Sequence, residues 1–546
     1  MATERDRITT AHGSGHGSGH GSGVGRAPDR RRWWALAVLA MALSLVVIDG
    51  SIVSVALPAI VPDLGMGISE AQWVNSVYAV VFSALLLPAG RLGDRLGRRT
   101  TLLIGVIVFV GASVLASRAD AASSLIAARL VQGIGGAFIL PSTLSTVNAT
   151  FRGKDRAAAF GVWGAVMAGA AALGPLLGGW LTSSFDWGWI FLVNVPLGAI
   201  VLLGTVLVVP NTRGEAGELD LIGVLLSGLG LAALVFALIE GSSLGWLTPK
   251  QPLEILGAQI GGDWPISVVA VLIIVGLVLM AGFLLLERSR IARGVSPLLD
   301  LRLFSLATFS WGNLTAAMVA IGEFGLLFVL PLYLVNVLGL GILTSGLLLA
   351  TMALGAFISG ASARHLAARL GATGTVILGL GLELLGVAAL AVVIGTAANL
   401  WSIGGFLIVY GVGLGLAAAQ LTSTVLADVP EAQSGQGSAT QSTVRQLGTA
   451  LGASIAGAVL SAGLGSALAR INGPAAEFAQ AVHDSAGSVL PELRARGVNP
   501  AVIAPLTDAY TSATQLSIVV AAVFLGIGLL GAIALARATG HPREPR

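Results

Sequence analysis

Fourteen apolar runs, each about long enough to cross a lipid bilayer, leave this chain almost no material from which to build a water-soluble core. They fall at about 33–60, 71–89, 100–117, 124–148, 157–182, 189–209, 219–239, 265–286, 305–337, 342–362, 374–397, 400–427, 442–464 and 515–537. About 20 such residues span the hydrocarbon layer. Only 10% of the 546 residues are charged, against about 25% in a soluble domain. Inside hydrocarbon every backbone N–H and C=O must be satisfied within the structure itself, which selects helices for segments of this length. The expectation is an all-α polytopic membrane protein with fourteen transmembrane helices.

Charge placement orients the spans. Counted from a cytoplasmic N-terminus, the even loops hold the arginines between Arg91 and Arg99, then Arg152 and Arg156, then Arg288 to Arg302, then Arg364 and Arg369. The first odd loop offers Asp63 and Glu70 without a base, and the fifth offers only Asp186. Excess Arg and Lys mark the cytoplasmic side, so both termini are assigned there. The basic residues are short-loop arginines and do not form a solvated basic face, which argues against nucleic acid as a partner. The chain has no cysteine, which excludes disulfides and thiolate metal sites. Residues 1–32 carry no apolar core ahead of a small-residue cleavage site, so the first run reads as a retained span. Two Lys against twenty-eight Arg, with 74 Gly, hint at a GC-rich bacterial genome.

The N-terminal tail, 1–32, repeats His-Gly-Ser-Gly from His12 to His20, a flexible coil with nothing to bury. An internal repeat lies further on. Arg95-Leu-Gly97, followed by Thr100 to Gly105, is echoed by Arg369-Leu-Gly371 and Gly374 to Gly379, an offset of 274 residues, with Ala368 in the place of Asp94. Such an offset exceeds six helices. The organisation expected is therefore an N-terminal six-helix bundle over 33–209, two additional helices within 219–286, and a C-terminal six-helix bundle over 305–537. An extracytoplasmic loop at 465–512, partly helical around 475–486, belongs to the second bundle, and a short tail at 538–546 ends the chain.

Several motifs carry chemistry. Gly90-Arg-Leu-Gly93-Asp94-Arg95-Leu-Gly97-Arg98-Arg99 is a charged, glycine-rich turn between two spans. Asp49-Gly-Ser-Ile-Val-Ser-Val-Ala-Leu-Pro58 places an acid deep in the first span. Arg129-Leu-Val-Gln132-Gly-Ile-Gly135-Gly136 lines one helix face, since residues three and four apart are neighbours. Gly174-Pro175-Leu-Leu-Gly178-Gly179 interrupts the fifth span, because proline removes a backbone donor and kinks a helix. Asp186-Trp-Gly-Trp-Ile-Phe-Leu-Val-Asn-Val-Pro196 follows. In order and spacing these resemble the fourteen-span drug:proton antiporter branch of the major facilitator superfamily. The turn resembles its motif A, the Arg129 stripe its motif B and the Gly174 segment its motif C, which in that family marks exporters. Gly188 stands where the family usually has Arg.

An acidic side chain at mid-membrane costs about 2.5 to 3.5 kcal/mol on insertion scales and is usually retained for function. Asp49 and Glu323 are accordingly the candidate proton-coupling or substrate-contacting acids. Glu383 is a third buried acid, equally readable as structural. The resemblance links Arg129 to proton transfer, while its position also suits a side chain reaching for the headgroups. The resemblance further implies that Gly90, Gly93, Asp94, Arg95, Gly97 and Arg98 form a cytoplasmic latch, in which Asp94 meets a helix N-terminus and an Arg of a neighbouring helix. Gly174, Pro175, Gly178 and Gly179 suit either a rocking or a static packing seam. Arg445, in Arg-Gln-Leu-Gly448, reads as a headgroup anchor.

Neither a phosphate-binding Gly-x-x-x-x-Gly-Lys loop nor a His-Glu-x-x-His helix occurs. The expected role is therefore non-enzymatic and cofactor-free: a monomeric exporter of amphipathic small molecules, cations among them, in a bacterial plasma membrane. It would be driven by protons, each providing about 2.3 kcal/mol per 100 mV. Rival readings are an exporter dedicated to one metabolite or self-made antibiotic, a lipid translocator working with a partner through the 465–512 loop, and a nutrient symporter.

Overall fold

The computed structural model describes residues 30–151, 153–213, 220–255, 258–261, 264–295, 297–430 and 434–539. Most of both terminal tails lies outside the described residues. The helices are α1 (Arg30–Asp63), α2 (Ile68–Leu96), α3 (Arg98–Ala116), α4 (Ala122–Thr150), α5 (Gly153–Ser184), α6 (Trp189–Leu192), α7 (Asn194–Val208) and α8 (Leu221–Leu244). After strands β1 (Leu253–Ile255) and β2 (Ala258–Ile260) come α9 (Val268–Ala292), α10 (Ala307–Asn336), α11 (Ile342–Val393), α12 (Leu400–Val425), α13 (Ser434–Leu468), α14 (Ala476–Asp484), α15 (Val489–Ala495) and α16 (Pro500–Thr539).

Each of the fourteen expected runs overlaps these helices, several overrunning an end by one to four residues, but they are not fourteen separate apolar rods. Among the described residues, eleven helices are long and apolar enough to cross a membrane, or twelve when α2, bent by 51° ahead of Pro88, is taken as one span. The difference from fourteen arises at two places. Two expected spans run together as the 52-residue α11, which breaks only at Gly371, whose φ of 75° is a left-handed value that favours glycine. The fifth run lies in the 32-residue α5, which is outside the eleven.

Two further boundaries are corrected. The expectation of purely helical structure misses the antiparallel hairpin β1–β2, which pairs Leu253 with Ile260; it lies between α8 and α9, where the apolar runs stop. The expected 465–512 loop is shorter than its polarity and prolines suggest. Helix α13 continues to Leu468 and α16 already starts at Pro500, proline being well suited to a first helical turn. Helix α14 falls within the expected helical patch.

Helices α1 to α5 and α7 pack together, with α3 on α4, α2 on α4 and α1 on α5; α10 to α13 and α16 form a second group. The halves meet along α2 with α13, α5 with α11 and α1 with α10. Gly105 and Gly379, 274 positions apart, hold similar places in the two groups: a Cβ on Gly105 would sit 2.9 Å from Gly135 O, and one on Gly379 2.7 Å from Gly413 O.

The meeting points named here lie toward the end of the molecule where α1 finishes. Gln72 Nε2 donates to Ser454 O at 2.7 Å, and the hydroxyls of Ser76 and Ser454 are 3.0 Å apart. A Cβ on Gly346 would come within 2.8 Å of Pro175 O and 3.0 Å of Gly179 Cα, so only glycine permits that approach. Helix α8 covers the α2–α13 seam: Leu231, Val235 and Ile239 pack on Ala79, Val80 and Ala450, and Trp73 Nε1 donates to Glu240 Oε1 at 2.9 Å.

Candidate functional site

Asp49 sits at the middle of α1, fully buried at 0% exposure, and four other helices close around it. Its carboxylate accepts from Arg129 Nη1 at 2.5 Å, Gln132 Nε2 at 2.7 Å and Asn194 Nδ2 at 3.1 Å. Arg129 is 1% exposed. It also donates through Nε to Val74 O at 3.0 Å and through Nη1 to Gln132 Oε1 at 2.7 Å, and its guanidinium lies 4.3 Å from the Tyr78 ring centroid. Ser113 Oγ accepts from Gln132 at 2.9 Å and from Asn194 at 3.2 Å. Every donor facing Asp49 is thus fixed by a second partner or a packed helix, and one positive charge balances one negative charge. Buried ion pairs persist only when such hydrogen bonds replace lost water.

The helix-face spacing of Arg129 and Gln132 is what aims both at α1. Arg129 does not reach for the headgroups; it turns inward, and of its two sequence readings only the one facing Asp49 matches the structure. Gln132 was visible as part of the stripe. Asn194, Ser113 and Tyr78 were assigned no role from sequence, although an amide or a hydroxyl inside an apolar run is itself a signal of a buried partner.

Glu323 lies at the middle of α10, in the other half, 274 positions from Asp49. It is 8% exposed, and its partner is Arg445 at 3.8 Å. This corrects the reading of Arg445 as a headgroup anchor. Helix α13 starts at Ser434, eight residues before the apolar run, and at 1.5 Å per residue this sets Arg445 about 16 Å along the helix rather than at its mouth. Glu383, on the second arm of α11, is also fully buried.

The glycine-rich turn is built as its sequence requires. Gly97 has φ 103° and separates α2 from α3, and Arg98 N donates to Thr212 O at 2.9 Å. Gly90 lies against Pro141, and Gly93 leaves room for Thr101 Oγ1. Asp94 lies in the last turn of α2, and its Oδ1 accepts from Arg98 Nε and Nη2 at 3.1 and 2.9 Å. Its arginine therefore opens the very next helix, because Gly97 folds α3 straight back. Arg98 also donates to Ser145 O on α4 at 2.9 Å. Arg95 is exposed, and Arg91 donates to Pro297 O, beyond α9. In the Gly174 segment, Gly174 makes room for Ser51 and Gly178 for Ile52 O on α1, while Gly179 faces Gly346 on α11. Asp186 caps its own turn by accepting from Gly188 N at 2.7 Å, and a Cβ at 188 would sit 2.7 Å from Ser117 O.

Two helical groups with matching internal repeats, a charge pair buried in one of them and glycine seams between them define a polytopic membrane carrier. The sequence profile described as Major Facilitator Superfamily matches residues 39–221 and again 221–453, and the chain belongs to that family. It is 31% identical over 487 residues to the "Probable actinorhodin transporter" of Streptomyces coelicolor, covering 87% of this chain and 78% of that one. It is 32% identical over 434 residues to the "Multidrug efflux pump LfrA" of Mycolicibacterium smegmatis, covering 79% and 81%. Among solved structures, the inward-facing, occupied form of a bacterial homolog of the human lysosomal transporter Spinster superposes with a TM-score of 0.62 at 17% identity, covering 94% of this chain and 98% of that one.

Proposed function

We propose that this chain exports amphipathic small molecules, cations among them, across a bacterial plasma membrane in exchange for protons, with both termini in the cytoplasm. The observation that carries the reading is the Asp49–Arg129 pair, an ion pair held away from water at mid-membrane, where charge is costly. The relatives named as a multidrug efflux pump and a probable actinorhodin transporter support it. In the proposed cycle Asp49 and Glu323 exchange protons or substrate charge, Arg129 governs when Asp49 is free to do so, and the glycine seams let the halves rock.

The test is transport in proteoliposomes, with a panel of dyes and antibiotics and an imposed proton gradient. Accumulation is expected to stop when ionophores collapse both the pH and the voltage difference. Full-rate transport after collapse would remove the coupling from this reading. Because one relative is named for a single antibiotic, an exporter dedicated to one compound is the second reading, and the breadth of the panel's response separates the two.

In the same scheme the Asp94 turn biases the equilibrium between inward-open and outward-open forms. A partly exposed pair such as Asp94–Arg98 is worth about 1 kcal/mol or less, which is about a fivefold change in a two-state ratio. Asp94→Asn is therefore expected to insert normally and to slow transport a few-fold. The accompanying shift is measured as altered labelling of a cysteine placed on the cytoplasmic side, and unchanged labelling and rate would dismiss the latch.

A further inference from the structure

The two halves differ in charge balance. Around Asp49 one acid meets one base. In the C-terminal half, two buried acids, Glu323 and Glu383, share the field of a single base, Arg445, which acts on both. One negative charge is left over unless a hydrogen ion is bound.

The geometry locates the unbalanced group. Arg445 stands 3.8 Å from Glu323, whereas both carboxyl oxygens of Glu383 are buried and have no hydrogen-bond partner. The hydroxyl of Tyr410 on α12 is likewise buried and unpartnered, and besides its burial it feels the charges of Glu383 and Glu323. Helices α11 and α12 are locked together at this level. A Cβ on Gly413 would lie 2.9 Å from Glu383 Cγ, and one on Gly386 2.7 Å from Tyr410 N. Backbones this close give neither side chain room to swing out to lipid or water. A buried ionised carboxylate without a protein donor is a costly arrangement in a protein interior. Binding a proton cancels the charge and supplies a donor.

We propose that Glu383 is a proton-binding site of the transport cycle, with Tyr410 beside it and the Glu323–Arg445 pair as the group that decides when the proton leaves. While Arg445 neutralises Glu323, the proton stays on Glu383. When Arg445 is drawn from Glu323 toward Glu383, on which it also acts, one proton moves from the Glu383 carboxyl to the Glu323 carboxylate, and Arg445 neutralises the carboxylate left on Glu383. Charge and atoms balance: one O–H bond breaks on Glu383 and one forms on Glu323. The proposal rests on the proton-coupled reading above but assigns the proton to residues in the half opposite Asp49.

The experiment uses the full-length protein and dicyclohexylcarbodiimide, a lipophilic reagent that modifies protonated carboxyls, followed by peptide mass spectrometry. In the wild type the adduct is expected on Glu383, falling as the buffer is made alkaline, and not on Asp49. An adduct on Asp49 with none on Glu383 overturns the proposal. Glu383→Gln mimics the neutral acid, so it is expected to melt at the wild-type temperature. It should pass substrate down its gradient while substrate-driven proton movement drops to that of empty vesicles; wild-type proton movement in this variant also overturns the proposal. If no compound in the panel is carried, the exporter reading fails while the adduct pattern still decides the fate of Glu383.

Discussion

Asparagine at position 49 is expected to abolish substrate-driven proton movement and to lower the melting temperature of the purified protein markedly. Every group facing the Asp49 carboxylate is a donor: Arg129 Nη1, Gln132 Nε2 and Asn194 Nδ2. Gln132 cannot turn its amide to compensate, because its Oε1 already accepts from Arg129 at 2.7 Å. The new side chain would point an NH2 group at one of these donors and leave a buried guanidinium without its counter-charge. Removing one partner of a buried pair costs about 3–5 kcal/mol. Removing both charges avoids that cost, so Asp49→Asn combined with Arg129→Gln is expected to recover most of the lost stability while remaining uncoupled. Thermal melting by size-exclusion chromatography and proton flux in vesicles read the two effects separately. A single variant that melts normally and moves protons as before would falsify the role of the pair.

The second large effect is a reversible arrest. The chain lacks cysteine, so any disulfide in a variant is an introduced one. Ser76 on α2 and Ser454 on α13 have their hydroxyls 3.0 Å apart and are both buried. A disulfide brings two sulfurs to about 2.05 Å with Cβ atoms about 3.5–4.5 Å apart, a small adjustment from this starting point. Oxidising the double variant Ser76→Cys, Ser454→Cys is expected to pin the two halves together and bring transport to background, and reductant is expected to restore it. Each single variant controls for the substitution itself. Full transport by demonstrably cross-linked protein would mean that α2 and α13 do not part during the cycle.

Much of this was written in the sequence in a form that physics can read. Apolar runs of bilayer length locate the helices because lipid offers the backbone no other partner. The three-residue spacing of Arg129 and Gln132 puts both on one helix face before any coordinate is known. Gly97 and Gly371 mark turns because their backbone angles suit no other residue well. Other parts stayed hidden for equally physical reasons. Hydropathy registers where the oil begins, not where a helix begins. Polar Ser434 to Gln441 therefore concealed the first two turns of α13 and with them the contact of Arg445 with Glu323. The contribution of Asn194 depends on which way a lone amide points once α7 has packed. Glu383 looked like one more acid among leucines, and only the lack of any donor around it, a three-dimensional property, sets it apart from Asp49.

The placement of α8 over one line of contact makes the two long flanks of this molecule unequal. Along α2 and α13 a wall of protein stands between the parting surfaces and the bilayer. Along α5 and α11 none of the described residues forms such a wall, and Leu173, Leu176, Trp180, Leu343 and Leu347 lie exposed on that side. When the halves swing, acyl chains have to rearrange on one flank only. Helices α8 and α9 are each long and apolar enough to cross a membrane, and a pair of crossings returns the polypeptide to the face it left, so the second half would keep the orientation in the bilayer that it would have without them.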